Sequence, residues 1–415
     1  MKNFSLDSVL LFVLVIPFIM NFRISPSETP YWLFGLIFVS LLIYIILDLL
    51  KISEKFYFNL KQILFWIITI QVIGSAFISA IIVRHQTAPV YNVHDIVIQQ
   101  EVAIRYLIHG KNPYSTTYFG TPLEEWHYSD KETNPALYHF VMQPFYLLFA
   151  IPFYFISTRT IGYFDGRMPL LFLILALLIL ASTLIRDKKR RLEFLILLAF
   201  NPAMLSYNLE GRSDLFMFPF LFAALYFLYR KKYLIAGIPM ALAFAVKQSV
   251  WPIFPFYFAY IYFKTRSLTK TIKLIAPFFL TFLTIVLPFF LWNTKAFMDS
   301  TIYYLSGKTE HSYPISGYGF GKLLNQLGFI KDVHKYYPFE IWQLLIGLPL
   351  MIILLVFLKK QPNIKRLIIV YGIFLFVYWY FSRYFNNSHL AYLSVIFLTS
   401  YYWPEETENQ KNYKK

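Results

Sequence analysis

The strongest constraint on this chain is the recurrence, along almost its whole length, of apolar stretches long enough to cross a lipid bilayer. They fall at roughly 7–22, 30–50, 59–83, 168–185, 192–208, 214–229, 233–247, 250–264, 271–293, 341–359, 364–382 and 388–403, twelve in all. A helix of about 20 residues crosses the hydrocarbon, and only helices and closed barrels satisfy their backbone groups there. Charged residues make up 14% of the chain, against about a quarter in soluble domains. The sequence therefore predicts an all-α polytopic membrane protein. Residues 1–403 form one transmembrane domain, and 404–415 are expected to be a polar, disordered cytoplasmic tail. The first apolar run resembles a signal peptide, but no small-x-small cleavage site follows, so it is read as a helix.

Lys plus Arg exceed Asp plus Glu by 38 − 22 = 16. The excess sits in short connections, as the positive-inside rule expects, and this argues against nucleic-acid binding. Lys51, Lys55 and Lys61 assign the second connection to the cytoplasm. The run Arg186 to Arg191, the segment Arg230 to Lys232, the basic residues between Lys264 and Lys273, and Lys359 with Lys365 point the same way. All of them fall inside only if a thirteenth apolar stretch, 136–157, does not cross. Pro135, Pro144 and Pro152 suit an interfacial or re-entrant helix there. Residues 84–167 are then a first large outer loop, 292–340 a late outer loop, and both termini are cytoplasmic. The alternative topology lets 136–157 cross and strands Lys188 to Arg191 outside. Cysteine is absent, so neither disulfides nor thiolate metal sites exist.

The first outer loop is the longest polar interruption in the N-terminal half. Asn92-Val-His-Asp-Ile opens an amphipathic helix that ends at His109-Gly110. Asp95 is the leading candidate for a general base, because a carboxylate at the outer interface can take a hydroxyl proton from a lipid-borne substrate. The competing reading makes Asn92 and Asp95 a capping pair. His94 is its neighbour, either substrate-binding or plain polar surface. Glu101 and Arg105, spaced i, i+4, read as a surface ion pair. Glu124, Glu125 and His127 read as a solvated loop or a second substrate contact.

Lys247 closes an apolar segment at the outer boundary, where it can hold a lipid phosphate or simply snorkel. Asp214 opens a helix and either binds substrate or caps with Ser213 and pairs with Arg212. Arg383 and His389 bracket another outer turn, as phosphate-binding and proton-transfer candidates or interfacial anchors. His311 lies in the late outer loop and completes the substrate-binding candidates. One topology puts Asp95, Asp214, Lys247, His311, Arg383 and His389 on the same side. No two-histidine metal spacing occurs, and neither metal nor cofactor is expected.

Several stretches occur in an order that resembles the GT-C superfamily of glycosyltransferases, specifically the polyprenyl-phosphate-mannose-dependent mannosyltransferases of glycosyltransferase family 87. They are Asp95 with its helix and Gly110-Lys-Asn-Pro-Tyr114; Asn134-Pro135-Ala-Leu with Pro144 and Pro152; Asn201-Pro202 leading to Gly211-Arg-Ser-Asp214; and Ala236-Gly237 through Lys247. A weaker echo spans Ser382 to His389. The resemblance covers roughly residues 60–290. It implies a GT-C-like bundle with outer juxtamembrane helices and an active site on the extracytoplasmic side of the cell membrane. It also implies Asp95 as base, Lys247 near the donor phosphate, and His389 beside the reaction centre. The transfer would be inverting, from a polyprenyl-phosphate sugar donor to a lipid-linked or glycan acceptor. The chain departs from the family in Asn134-Pro135, where a Pro-Pro pair is expected, in lacking a late tryptophan-containing motif, and in two additional leading helices. The alternatives are a transporter or flippase of lipid-linked sugars, and a glycan polymerase or ligase built around 292–340.

Overall fold

The structure is a computed structural model that describes residues 4–21, 30–87, 90, 93–127, 132–212 and 214–406. The described residues are mostly helical. α1 (Leu6–Asn21) and α2 (Tyr31–Ile46) are followed by α3 (Glu54–Thr87), one continuous helix with a π-turn at Ile70–Gly74. α4 (Asp95–Ile108) and α5 (Phe145–Thr160) come next, then α6 (Arg167–Ser182), α7 (Lys188–Ala199), α8 (Leu205–Glu210), α9 (Asp214–Tyr229), α10 (Tyr233–Phe244), α11 (Phe254–Thr265) and α12 (Leu268–Trp292). Short helical turns over 294–306 lead to α13 (Phe320–Gln326), α14 (Phe339–Lys360), α15 (Ile364–Tyr380) and α16 (Asn387–Tyr402). A parallel two-residue bridge pairs β1 (Ser316–Gly317) with β2 (Tyr384–Phe385) and ties the late loop to the turn before α16.

Three helices, α3, α12 and α14, are long and apolar enough to cross a membrane, and five shorter apolar helices accompany them. Their outward faces carry large exposed side chains such as Leu280, Leu291, Leu345 and Ile353, a surface that water does not tolerate over such an area. In the interior, α10 packs between α9 and α12. A Cβ on Gly237 would lie 2.9 Å from the Phe278 backbone nitrogen, so only glycine permits this close helix crossing.

Helix α3 is the ruler of the fold. Lys61 and Arg84 are 23 residues apart on it, about 35 Å at 1.5 Å per residue. Around Lys61 gather Asp7 at 2.8 Å and Asp48 at 2.6 Å. Beside them Arg191 bonds Gln62 at 2.9 Å, Tyr402 donates to Glu193 at 3.3 Å, and Glu406 takes Lys264 at 2.6 Å. The basic connections thus share one end of the bundle. Around Arg84 gather Glu101, Asp165 and Arg167, and α9 and α16 start at this same end.

Several expectations change. Lys61 is fully buried and neutralised by two carboxylates, so it is not a loop charge. The stretch 192–208 is not one helix: Asn201-Pro202 breaks it into α7 and α8, because proline has no N–H to give and forces its predecessor out of helical geometry. The stretch 250–264 begins as a 3₁₀ turn (Gln248–Ile253) around Pro252. α5, from the disputed 136–157 region, starts where Phe145 N–H meets the Ala245 carbonyl. It ends at Thr160, five residues before the Asp165 of the Arg84 network. The tail is not free from Pro404 onward, since Glu406 accepts from Lys264 and from Ile364 N–H. Residues 407–415 lie outside the described residues.

Glu101 does not pair with Arg105. Its carboxylate grips Arg84 through two bonds of 2.7 and 2.8 Å and takes Gly166 N–H at 3.1 Å, while Arg105 is exposed. Asp165 joins Arg84 to Arg167, each at 2.8 Å. This buried network of two cations and two anions locks α3, α4 and the start of α6 together.

Candidate functional site

At the Arg84 end, a cavity of about 650 Å³ opens between α4, the α10–α11 turn, α15 and α16, under a roof formed by 301–313 and the first turn of α14. Asp95 enters it as the first residue of α4, with His94 as the N-cap. Helix α4 is fixed along its length. Gln99 donates to the carbonyls of Ala136 and His139 at 2.6 and 2.8 Å, Gln100 donates to Tyr146 O, and Glu101 is held by Arg84. The helix ends at His109 with Gly110 at φ +73°, the left-handed stop that glycine supplies.

One Asp95 oxygen lies 2.6 Å from His94 Nδ1, and Ile96 N–H meets the same nitrogen at 3.3 Å as the helix cap. The other oxygen accepts from Asn134 Nδ2 at 3.4 Å. Burial pushes the Asp95 carboxyl up, but the His94 charge and the bonds from His94, Asn134 and Ile96 N–H outweigh it and hold it below the ordinary carboxylate value. The positive end of α4 acts in the same direction. Asp95 is thus an ionised, oriented carboxylate whose side chain keeps 17% exposure at the cavity. The capping partner Asn92 lies outside the described residues, and His94 occupies the cap.

Lys247 sits in extended backbone between α10 and the 3₁₀ turn, and its Nζ reaches Asp214 Oδ1 at 2.7 Å. It is not a snorkelling side chain, because it lines the cavity wall. Asp214 pairs with Lys247 rather than Arg212, which turns to Glu210 at 3.0 Å; Ser213 lies outside the described residues. Gln248 bridges the carbonyls of Val141 and Thr301, 3.0 Å each, and so connects three walls.

His389 forms a reciprocal capping box with Asn386, its Nδ1 accepting Asn386 N–H at 2.9 Å. In the neutral ring the hydrogen is then on Nε2, so His389 meets a ligand as a donor, not as a base. Trp379 packs edge-on at 4.4 Å and fixes the ring.

Arg383 also touches the cavity, but its guanidinium is occupied by the late loop. It donates to the carbonyls of Tyr313, Lys335, Val333 and His334, and Gly307, at φ +85°, leaves it room. Arg383 is therefore a loop clamp before it is a phosphate ligand. His311 is not in the wall; it stacks on Tyr138 at 3.6 Å. Glu124, Glu125 and His127 stay outside as well.

Sequence reasoning passed over several groups: Gln99, His139 and the rim pair Lys308–Glu340 at 2.9 Å line the wall, and the buried Asn134 stands behind Asp95. Asn134 alone carried a local signal. As Asx before proline it caps the turn Pro135–Leu137 by accepting Ala136 N–H at 2.9 Å. Among the described residues, no three His, Asp or Glu side chains converge as metal ligands. Around its centre the cavity brings together the Asp95 carboxylate, the Lys247 cation held by Asp214, and the His389 ring. No family model, curated protein or solved structure matches this chain.

Proposed function

We propose that this chain is a GT-C-type glycosyltransferase. It moves mannose, or another hexose or pentose, from a polyprenyl phosphate to a lipid-linked or glycan acceptor at the outer face of the cell membrane. The supporting observation is that Asp95, the Lys247–Asp214 pair and His389, drawn from α4, the turn after α10, α9 and α16, share one cavity. The remainder of the reading is a bundle of about twelve spans, with α4 and α5 as outer juxtamembrane helices and the basic connections in the cytoplasm.

Asp95 takes the acceptor hydroxyl proton while that oxygen bonds to the sugar C1. The C1–O bond to phosphate breaks, and its electron pair leaves with the phosphate. Lys247 and the His389 Nε2–H stabilise the charge that gathers on the phosphate oxygens. Substrate covering the cavity removes water from Asp95 and strengthens it as a base.

The test is purified protein in liposomes supplied with a radiolabelled polyprenyl-phosphate sugar and a lipid extract as acceptor. The reading requires label to move covalently into a new glycolipid. Movement of intact donor across the bilayer without a new bond makes the protein a transporter.

A further inference from the structure

The late outer loop has its own small core. Ile315, Leu324, Ile330 and Phe339 pack together, separate from the main bundle. Its outer side is apolar too: Leu323, Leu327 and Phe329 are 42%, 62% and 75% exposed. Leu323 on α13 and Leu327, its C-cap, are spaced i, i+4 and share one face. Three large apolar side chains exposed together on a loop mark a surface for a partner or for lipid.

The level of this surface is set by α14. With 22 residues, α14 is about 33 Å long, close to the thickness of the hydrocarbon. Its outward side chains are apolar from Ile341 onward, and Lys359 and Lys360 end it. Trp342, in its first turn, is then at the interface, where tryptophan is enriched. Phe320, the first residue of α13, packs on the Trp342 ring at 5.1 Å and on Phe381 at 5.1 Å. The exposed face of α13 is therefore continuous with the lipid-facing side of α14 and at headgroup depth. Lys322 and Lys331 flank it, as suits anionic lipid.

We infer that α13 and the turn after it, through Phe329, form an interfacial anchor that embeds Leu323, Leu327 and Phe329 in the bilayer leaflet at the cavity end. The same loop supplies the roof of the cavity and is clamped by Arg383, so the anchor holds that roof to the membrane surface. This inference needs α14 to span the bilayer and does not depend on the reaction.

The chain has no cysteine, so Phe329→Cys and Leu327→Cys give single labelling sites in the full-length protein. Each is labelled with an environment-sensitive fluorophore in nanodiscs of mixed neutral and anionic phospholipid, with Glu125→Cys as the exposed reference. The anchor predicts blue-shifted emission at 327 and 329, quenched several-fold by lipids bearing a nitroxide near the headgroup, with no quenching at 125. Water-like emission at both sites in monodisperse protein overturns it. So does blue-shifted emission that nitroxide lipids leave untouched, since that identifies a protein partner such as a second copy.

Discussion

Lys247 and Asp214, 33 positions apart, meet at 2.7 Å in the wall of the cavity, with Asp214 almost fully buried and Lys247 partly open to it. A cation presented in this way is held in place yet retains N–H donors for a ligand. Lys247→Ala removes the proposed phosphate contact and leaves the Asp214 carboxylate buried and uncompensated, so it is expected to lower both donor binding and stability. Lys247→Gln with Asp214→Asn removes both charges. The double variant is expected to recover thermal stability but not donor affinity. Thermal unfolding and donor titration of both variants check this, and recovery of donor affinity would return Lys247 to a purely structural role.

In the proposed reaction Asp95 sets the acid limit of activity. Its carboxyl lies below the ordinary value, so the ionised form persists as pH falls. The associated stability is complete above the unfolded carboxylate pKa and is lost as pH drops through the lowered native one. Asn134→Ala deletes a hydrogen bond to the ionised form. The acid limb of kcat/KM should therefore move to higher pH, with the alkaline side unchanged. An acid limb that stays in place removes Asn134 from the site.

The buried network beneath α4 predicts two unequal effects. Glu101→Ala strips Arg84 of a bidentate partner and should cost about 3 kcal/mol, the range for breaking a buried ion pair. Arg105→Ala, on the exposed face, should stay within about 0.5 kcal/mol. Chemical unfolding of both variants measures the difference, and equal losses would restore a Glu101–Arg105 pair.

Much of this geography was legible in the chain. The basic connections and the polar turns that the sequence reads as outer sort to opposite ends of the bundle, and Asp95, Asp214, Lys247 and His389 meet in one cavity at the second of these ends. Pairings across the fold were not legible. The i, i+4 spacing of Glu101 and Arg105 is visible in sequence, whereas the stronger claim of Arg84 on Glu101 depends on how α3 leans against α4. Arg383 has the composition of a phosphate ligand, and only the path of the 313–335 loop turns it into a clamp. Lys61 counts as a cytoplasmic charge until Asp7 and Asp48 fold onto it.

Sidedness has its own check. Lys189→Cys, at the Lys61 end, should resist an impermeant thiol reagent applied to intact cells, while Lys308→Cys at the cavity rim should react. The reverse pattern would turn the cavity toward the cytoplasm.

The most direct measurement sets wild type beside Asp95→Asn in proteoliposomes with a polyprenyl-phosphate sugar. The carboxamide preserves shape and removes the base. The expected outcome is unchanged donor binding with transfer reduced roughly 10²–10⁴-fold. Wild-type turnover by Asp95→Asn would contradict the account.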